Sequence, residues 1–262
     1  MKRVFMLLTS ATLAFASCDK KDDDQGKNGI FKGPVSKLHN GKAWTWVQLD
    51  SQNRPERVAI SIDDAAMNSL PAATGDVGHD MGNMDNHLVL KFHSKASATP
   101  FQHVLLDWNP AGHEPEQVYT LPHFDFHFYT TTDEERAAIP PYEADSNKFL
   151  NVPAPAYMPA NYVAIPGGVP QMGAHWVDVT SPELNGASFT QTFLMGSFDG
   201  KVTFYEPMIT KAFLDANPSF ERPCGVPAKF QKTGYYPTKM RIAKKDGVTD
   251  IILEGFVYRT QS

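Results

Sequence analysis

Histidine and aspartate alternate with phenylalanine in the segment His123–Tyr129, which reads HFDFHFY. On a β-strand successive side chains point to opposite faces, so His123, Asp125 and His127 would share one face and three phenylalanines the other. Because the aromatic face already supplies buried surface, the histidine face is free to line a cavity or a wet surface. Imidazoles and carboxylates are ligands of Zn, Cu, Fe and Mn. The segment therefore predicts a strand that carries part of a transition-metal site.

Two further segments carry residues that would complete such a site. Residues 172–178 read MGAHWVD and residues 204–210 read FYEPMIT. We predict that His175 and Glu206 join the imidazoles of the first segment around one ion. An ion held there would act as a Lewis acid or activate water toward a small organic substrate.

Spacing along an extended strand restrains this prediction. His123 and His127 are four residues apart, which is roughly 13 Å at about 3.3 Å per residue, so a bulge or strong twist would be needed for both to bind one ion. Asp125 is two residues from either histidine and fits a shared ion or a hydrogen-bonded relay more easily. It could also orient an imidazole by accepting its second N–H.

A second set of pocket candidates follows from the loop that reads GHEP. His113 and Glu114 could act as general acid or base, since histidine titrates near neutrality and burial can raise the pKa of a glutamate. The alternative is a turn whose side chains brace the neighbouring strand. Trp176, beside His175, is a third pocket candidate. Four other histidines are interpreted as structural: His39, His79, His87 and His93.

Other kinds of catalytic site have no sequence signature here. The chain contains no serine-nucleophile elbow, phosphate-binding loop, dinucleotide-binding glycine pattern or zinc-protease helix. Cys224 lies between prolines in RPCGVP with no histidine nearby in the sequence, which disfavours a cysteine nucleophile.

Alternating apolar residues predict a chain that is mostly β-strand. The predicted strands are 43–49, 57–62, 87–92, 101–108, 123–129, 189–194, 201–206, 235–243 and 251–259, and short helices are predicted at 63–70, 132–138 and 209–216. Asn-Gly and Asp-Gly pairs at 40–41, 199–200 and 246–247 predict hairpin turns. We expect an all-β fold, either a closed or nearly closed antiparallel barrel or a two-sheet sandwich, with long loops.

The first residues are typical of an export signal. Lys2 and Arg3 precede an apolar run that ends in small residues before Cys18, which predicts a lipoprotein signal peptide at 1–17. Acylation of Cys18 would anchor the chain to a membrane. Residues 18–29 are charged and would form a flexible tether, similar to the signal that sends lipoproteins to the outer face of the outer membrane. A cleaved secretory signal with an incidental cysteine is the alternative.

The remaining chain, 30–262, is expected to fold as one β-rich domain. Acidic residues outnumber basic ones by 29 to 24, and the loss of Lys2 and Arg3 makes the balance more negative. Binding to nucleic acid phosphates requires the opposite sign, so a nucleic acid partner is excluded. With Cys18 acylated, Cys224 has no partner for a disulfide within the chain, and stability must come from a hydrophobic core.

Four of these segments together resemble a bacterial secreted-protein family of unknown function whose structural prototype is a sigma-factor-controlled protein from a thermophile. They are DWNPAGHEP, PHFDFHFY, GAHWVD and FYEPMIT, and the resemblance spans roughly residues 101–210. It implies a β-rich extracytoplasmic domain and leaves a homo-oligomer open, and it carries no known reaction or ligand. The pattern departs from that of cupins, which pair HxH with a nearby glutamate.

Two functions are compatible with the sequence. The first is an envelope lipoprotein that binds a transition metal through clustered histidines, with or without chemistry on a small molecule. The second is a non-catalytic lipoprotein that holds an apolar ligand between its tryptophans and phenylalanines, with the histidines at the rim. A structural subunit of an envelope assembly is a third possibility.

Overall fold

The computed structural model describes residues 29–73 and 86–262. The predicted signal peptide, Cys18, the tether up to residue 28 and His79 lie outside these ranges. Within them, no helix combines the length and the apolar character that crossing a membrane would require.

Fifteen strands and four short α-helices form the described part of the chain. The strands are β1 (Ile30–Leu38), β2 (Gly41–Leu49), β3 (Pro55–Asp63), β4 (His87–Lys91), β5 (His103–Asn109), β6 (His123–Tyr129), β7 (Tyr162–Ala164), β8 (Ala174–Asp178), β9 (Gln191–Phe198), β10 (Lys201–Thr210), β11 (Ser219–Pro223), β12 (Gly234–Tyr236), β13 (Lys239–Lys245), β14 (Val248–Glu254) and β15 (Val257–Arg259). The helices are α1 (Asp64–Met67), α2 (Asp133–Ala137), α3 (Ser146–Leu150) and α4 (Lys211–Ala216).

The strands form two large antiparallel sheets. The six-stranded sheet has the order β1-β2-β3-β14-β13-β11, and the seven-stranded sheet has the order β4-β5-β6-β10-β9-β8-β7. A small third sheet pairs β12 with β15. The prediction of an antiparallel all-β fold is confirmed. The barrel alternative is wrong, because both large sheets end in edge strands and neither closes on itself; the arrangement is sandwich-like.

Two of the three predicted hairpin turns form at their Asp-Gly pairs, whereas the turn predicted at residues 40–41 forms one residue earlier, at His39 and Asn40 between β1 and β2. Asp199 and Gly200 between β9 and β10, and Asp246 and Gly247 between β13 and β14, all have positive φ, which aspartate and glycine tolerate better than other residues. The predicted strand 235–243 is split at Pro237, which has no N–H to give to a sheet. The sequence missed β1, β7, β8, β11 and α3.

The main hydrophobic core lies between the two large sheets. Phe124, Phe126 and Phe128 of β6 are completely buried in it, as the alternation of HFDFHFY predicted, and the facing sheet contributes residues such as Ile60 and Ile251. The opposite face of β6 carries His123, Asp125, His127 and Tyr129. That face is turned away from the six-stranded sheet.

Loops cover this second face of the seven-stranded sheet, which we call the outer face. Tyr119 packs with Leu194 and Met208 in one small cluster, and Met172 packs with Phe204 in another. The loop residues come from the connections 110–122 and 165–173. The polar side chains of β6 are therefore buried between a sheet and its loops and not exposed to solvent.

Replacing Phe126 by alanine should lower the free energy of unfolding by about 3 to 5 kcal/mol, because a fully buried aromatic ring leaves a cavity in the core. Chemical denaturation measures this change. Leu150→Ala is the control: Leu150 is 65% exposed, so its truncation should stay within about 0.5 kcal/mol. A small effect of Phe126→Ala would contradict the assignment of this face of β6 to the core.

Candidate metal centre

Strand β6 lies near the middle of the seven-stranded sheet, between β5 and β10. Its pairing brings polar residues of three strands together on the outer face. Asp107 of β5 lies opposite Asp125, and the unshifted register against β10 places Glu206 opposite His127. Such cross-strand neighbours have Cβ atoms about 4.5 to 5.5 Å apart, so the register itself gathers the acidic and imidazole groups.

Six side chains on the outer face form two groups that could each hold a metal ion. The His127 group consists of His127, His175 and Glu206; the His113 group consists of His113, His123 and Asp125. Within each group, one ligand atom from each residue lies within 4.8 Å of the others.

The His127 group has the geometry expected of metal ligands. His127 Nε2 lies 3.2 Å from Glu206 Oε1, and His175 Nε2 lies 3.8 Å from Glu206 Oε2. Ligands bound tetrahedrally at 2.0 to 2.1 Å from zinc are roughly 3.3 Å apart. Among the described residues, His127 Nε2 has no hydrogen-bond partner although the carboxylate is so close. The two atoms are therefore close to each other without a hydrogen bond between them.

Aromatic packing holds both imidazoles of this group in place. The ring of Phe204 lies 4.8 Å from the ring of His127 and 5.2 Å from that of His175. Gly196 makes room for this ring, since a Cβ there would lie 2.1 Å from Phe204. The glycine and the phenylalanine thus fix the orientation of two candidate ligands.

A second carboxylate lies behind His127. Asp107 Oδ2 is 3.1 Å from His127 Nδ1, and the other oxygen of Asp107 contacts His87 Nδ1. A histidine that binds a metal usually gives its second ring N–H to a carboxylate or carbonyl, which fixes the tautomer and the ring orientation. Asp107 lies close enough for that role, although neither of the two atoms has a hydrogen-bond partner among the described residues.

Burial makes the charges of this region costly without a counter-ion. Burial raises the pKa of the Glu206 carboxyl, although His127 opposes the shift, and the nearby Asp125 and Asp107 raise it further. Burial alone would lower the pKa of His127, but Glu206 and Asp107 outweigh it and raise that pKa to about 9. A divalent cation would compensate the carboxylates directly and leave His127 neutral.

The other two predicted ligands, His123 and Asp125, belong to the His113 group. The structure therefore does not bring His123 together with His127 and His175 around one point. The reason is the strand geometry: β6 runs without a bulge in its pairing with β5, so the two histidines stay about 13 Å apart along the backbone. The closer pair, His123 with Asp125, does meet, with 3.1 Å between Nε2 and Oδ1.

Both groups border one cleft with a volume of about 400 Å³. His113, His175 and Glu206 reach its wall, and the exposed Glu114 lies at its edge. The rest of the wall consists of Tyr119, apolar side chains and backbone, and none of the described residues that line it is lysine or arginine. The cleft therefore offers no lysine or arginine to an anionic ligand.

The predicted tryptophan pocket does not form around this cleft. Trp176 points to the opposite face from His175, where it packs in the main core and donates a hydrogen bond from Nε1 to Ser197 Oγ at 2.9 Å. Trp108 lies in the same core, whereas Trp44 and Trp46 lie on the far face of the six-stranded sheet. Alternation along β8 separates the neighbouring His175 and Trp176.

Three residues of this region were missed in the sequence. Asp107 and Asn109 alternate on β5 as His123 and Asp125 do on β6, and this period-two pattern in DWN was the available signal. Tyr119 gave no signal, because it comes from an irregular loop. Tyr119 lines the cleft, and its hydroxyl is buried without a hydrogen-bond partner within residues 29–73 and 86–262.

No protein-family model matches this chain, and comparisons with curated proteins and with solved structures find no similar protein. The resemblance of its motifs to a secreted-protein family thus stays a prediction. Any function has to be inferred from the site itself, whose clustered, buried histidines and acidic residues could hold a metal ion.

Proposed function

We propose that this protein binds one transition-metal ion through His127, His175 and Glu206 and presents it to a small molecule in the adjoining cleft. The observation that carries the proposal is the convergence of a buried imidazole and a buried carboxylate that lie 3.2 Å apart without a hydrogen bond. Two imidazoles and one carboxylate are a ligand set used by Zn and by non-haem Fe, with positions left open for water or substrate.

The position of the group in the fold supports chemistry at the ion. His127 is completely buried, whereas the side chain of His175 is 11% exposed and borders the cleft together with Glu206. An open coordination position would therefore face the cleft. When bound, the ion would supply Lewis acidity or lower the pKa of water.

The metal content of protein purified without an affinity tag tests the proposal. We expect elemental analysis to find bound Zn, Cu, Fe or Mn in the parent protein. His175→Gln and Glu206→Gln should each contain about one ion per chain fewer than the parent, since a three-residue site loses its ion when one ligand is removed. His93→Asn is the matched control. It removes a histidine outside both groups, and asparagine can replace its helix-capping role. A parent without metal, or His175→Gln with the parent's content, would overturn the proposal.

Glu206→Gln should also separate a metal site from a structural ion pair. After treatment with a chelator, the free energy of unfolding of the variant should equal or exceed that of the parent. The reason is that the substitution removes a buried carboxylate whose charged form is unfavourable. With Zn²⁺ at about 100 times its Kd, the parent should gain about 2.7 kcal/mol more than the variant. Denaturant titrations in both conditions measure this. If the free energy of unfolding of the metal-free variant is instead more than about 1 kcal/mol below that of the metal-free parent, Glu206 forms a stabilising ion pair with His127.

We also propose that the domain acts at the cell envelope, held to the outer membrane by an acylated Cys18. The residues around Cys18 and the charged tether that follows support this location. Two acyl chains bind a membrane lastingly, since each buried methylene contributes about 0.8 kcal/mol.

Cys18→Ser should move the protein from the membrane fraction to the soluble fraction and abolish incorporation of labelled palmitate. Cys224→Ser is the matched control, because Cys224 is buried in the folded domain and should not affect the anchor. If Cys18→Ser stays with the membrane and carries label, the proposed anchor is wrong.

A further inference from the structure

Two fully buried polar atoms have no role in the proposed function. His123 Nε2 and Asp125 Oδ1 lie 3.1 Å apart at completely buried residues, yet neither has a hydrogen-bond partner among the described residues. A buried polar group without a partner costs about 1 to 3 kcal/mol, and more when it is charged. Native proteins rarely leave two such atoms facing each other unless a third species satisfies both.

The second nitrogen of the His123 ring shows which kind of species is needed. Nδ1 lies 2.7 Å from the backbone carbonyl of Leu121, an oxygen that can only accept a hydrogen bond. Nδ1 therefore carries the proton, and in the neutral ring Nε2 carries a lone pair. This lone pair faces the carboxylate of Asp125, so two electron-rich atoms meet at 3.1 Å. Such a contact is favourable only with a cation or a proton between them.

His113 contacts the other oxygen of the same carboxylate, and there the contact is a hydrogen bond. Its Nδ1 lies 2.6 Å from the carbonyl of Glu114, and its Nε2 lies 3.3 Å from Asp125 Oδ2. The rings of His113 and His123 are 4.7 Å apart. The two Nε2 atoms thus approach the same carboxylate, one at each oxygen.

Asn109 holds that carboxylate in place. Its Nδ2 donates a 2.8 Å hydrogen bond to Asp125 Oδ2, and both side chains are buried on adjacent strands. Support of this kind is typical of the partners that orient metal ligands. The site is preorganised by groups that do not bind the ion themselves.

We propose that His113, His123 and Asp125 form a second metal site, separate from the His127 group, which takes a borderline divalent cation such as Zn²⁺. His123 and Asp125 belong to β6, whereas His113 belongs to the loop 110–122. An ion bound by all three cross-links the loop to the sheet. Since His113 also borders the cleft, the second ion fixes one wall of the cavity in which the first ion would act.

Equilibrium dialysis of chelator-stripped protein against Zn²⁺ tests the second site. The parent should bind two ions per chain, His113→Gln and His175→Gln one each, and the double variant none. Asp125→Asn is a second probe of the same site with nearly unchanged shape, and it should also bind one. His93→Asn should bind two, and circular dichroism should show that every variant is folded.

The hydrogen-exchange rate of residues 110–122 should depend only on the second ion. At Zn²⁺ about 100 times the Kd, exchange that requires release of this loop should slow by about a hundredfold in the parent and in His175→Gln. It should not change in folded His113→Gln, which lacks the cross-link.

The outcomes separate this site from the proposed function. One ion per chain that is lost in His175→Gln but kept in His113→Gln and Asp125→Asn overturns the second site and leaves the first. One ion per chain that is lost in His113→Gln but kept in His175→Gln overturns the first site and leaves the second. No Zn²⁺ binding by the folded parent overturns the second site, and it assigns the buried contacts of His113, His123 and Asp125 to protonated histidines.

Discussion

Buried carboxylates that face the nitrogen atoms of histidines impose the main electrostatic constraint on this domain. Asp107, Asp125 and Glu206 are almost completely removed from solvent, and each has at least one imidazole nitrogen within 3.3 Å. Transfer of a charge from water into a protein interior costs several kcal/mol unless it is compensated. The outer face of the seven-stranded sheet is thus favourable only if cations or protons occupy the points where these atoms converge.

One face of β6 packs in the hydrophobic core, and the other face carries candidate metal ligands. Three phenylalanines on the inner face anchor the strand in the core between the sheets, so the strand does not depend on its polar face for stability. The backbone positions of His123, Asp125 and His127 are fixed as a result, and neighbouring strands supply Asp107, Asn109 and Glu206 in register. Sites built on strands hold their ligands more precisely than sites built on loops. Only His113 comes from a loop.

Much of this arrangement could be predicted from the sequence, and the part that could not has a physical reason. The alternation in HFDFHFY gave the strand, its buried face and its ligand face, and the Asp-Gly pairs gave two hairpins. The division of the histidines between two groups was not predictable. It depends on which strands pair, in which register, and on where the loop 110–122 packs against the sheet. His113 was interpreted as a general acid or base or as a side chain that braces the neighbouring strand, and neither interpretation made it a metal ligand. Barrel and sandwich likewise share the same strand pattern and differ only in long-range pairing.

Anomalous diffraction from crystals grown with Zn²⁺ is the most direct test of whether cations occupy the convergence points. The account predicts a peak about 2.0 to 2.1 Å from the Nε2 atoms of His127 and His175 and beside the carboxylate of Glu206, at the distances of zinc coordination. A second peak is predicted between His113, His123 and Asp125. Crystals that show zinc only at surface residues, with the buried imidazoles hydrogen-bonded to their carboxylates, would contradict it.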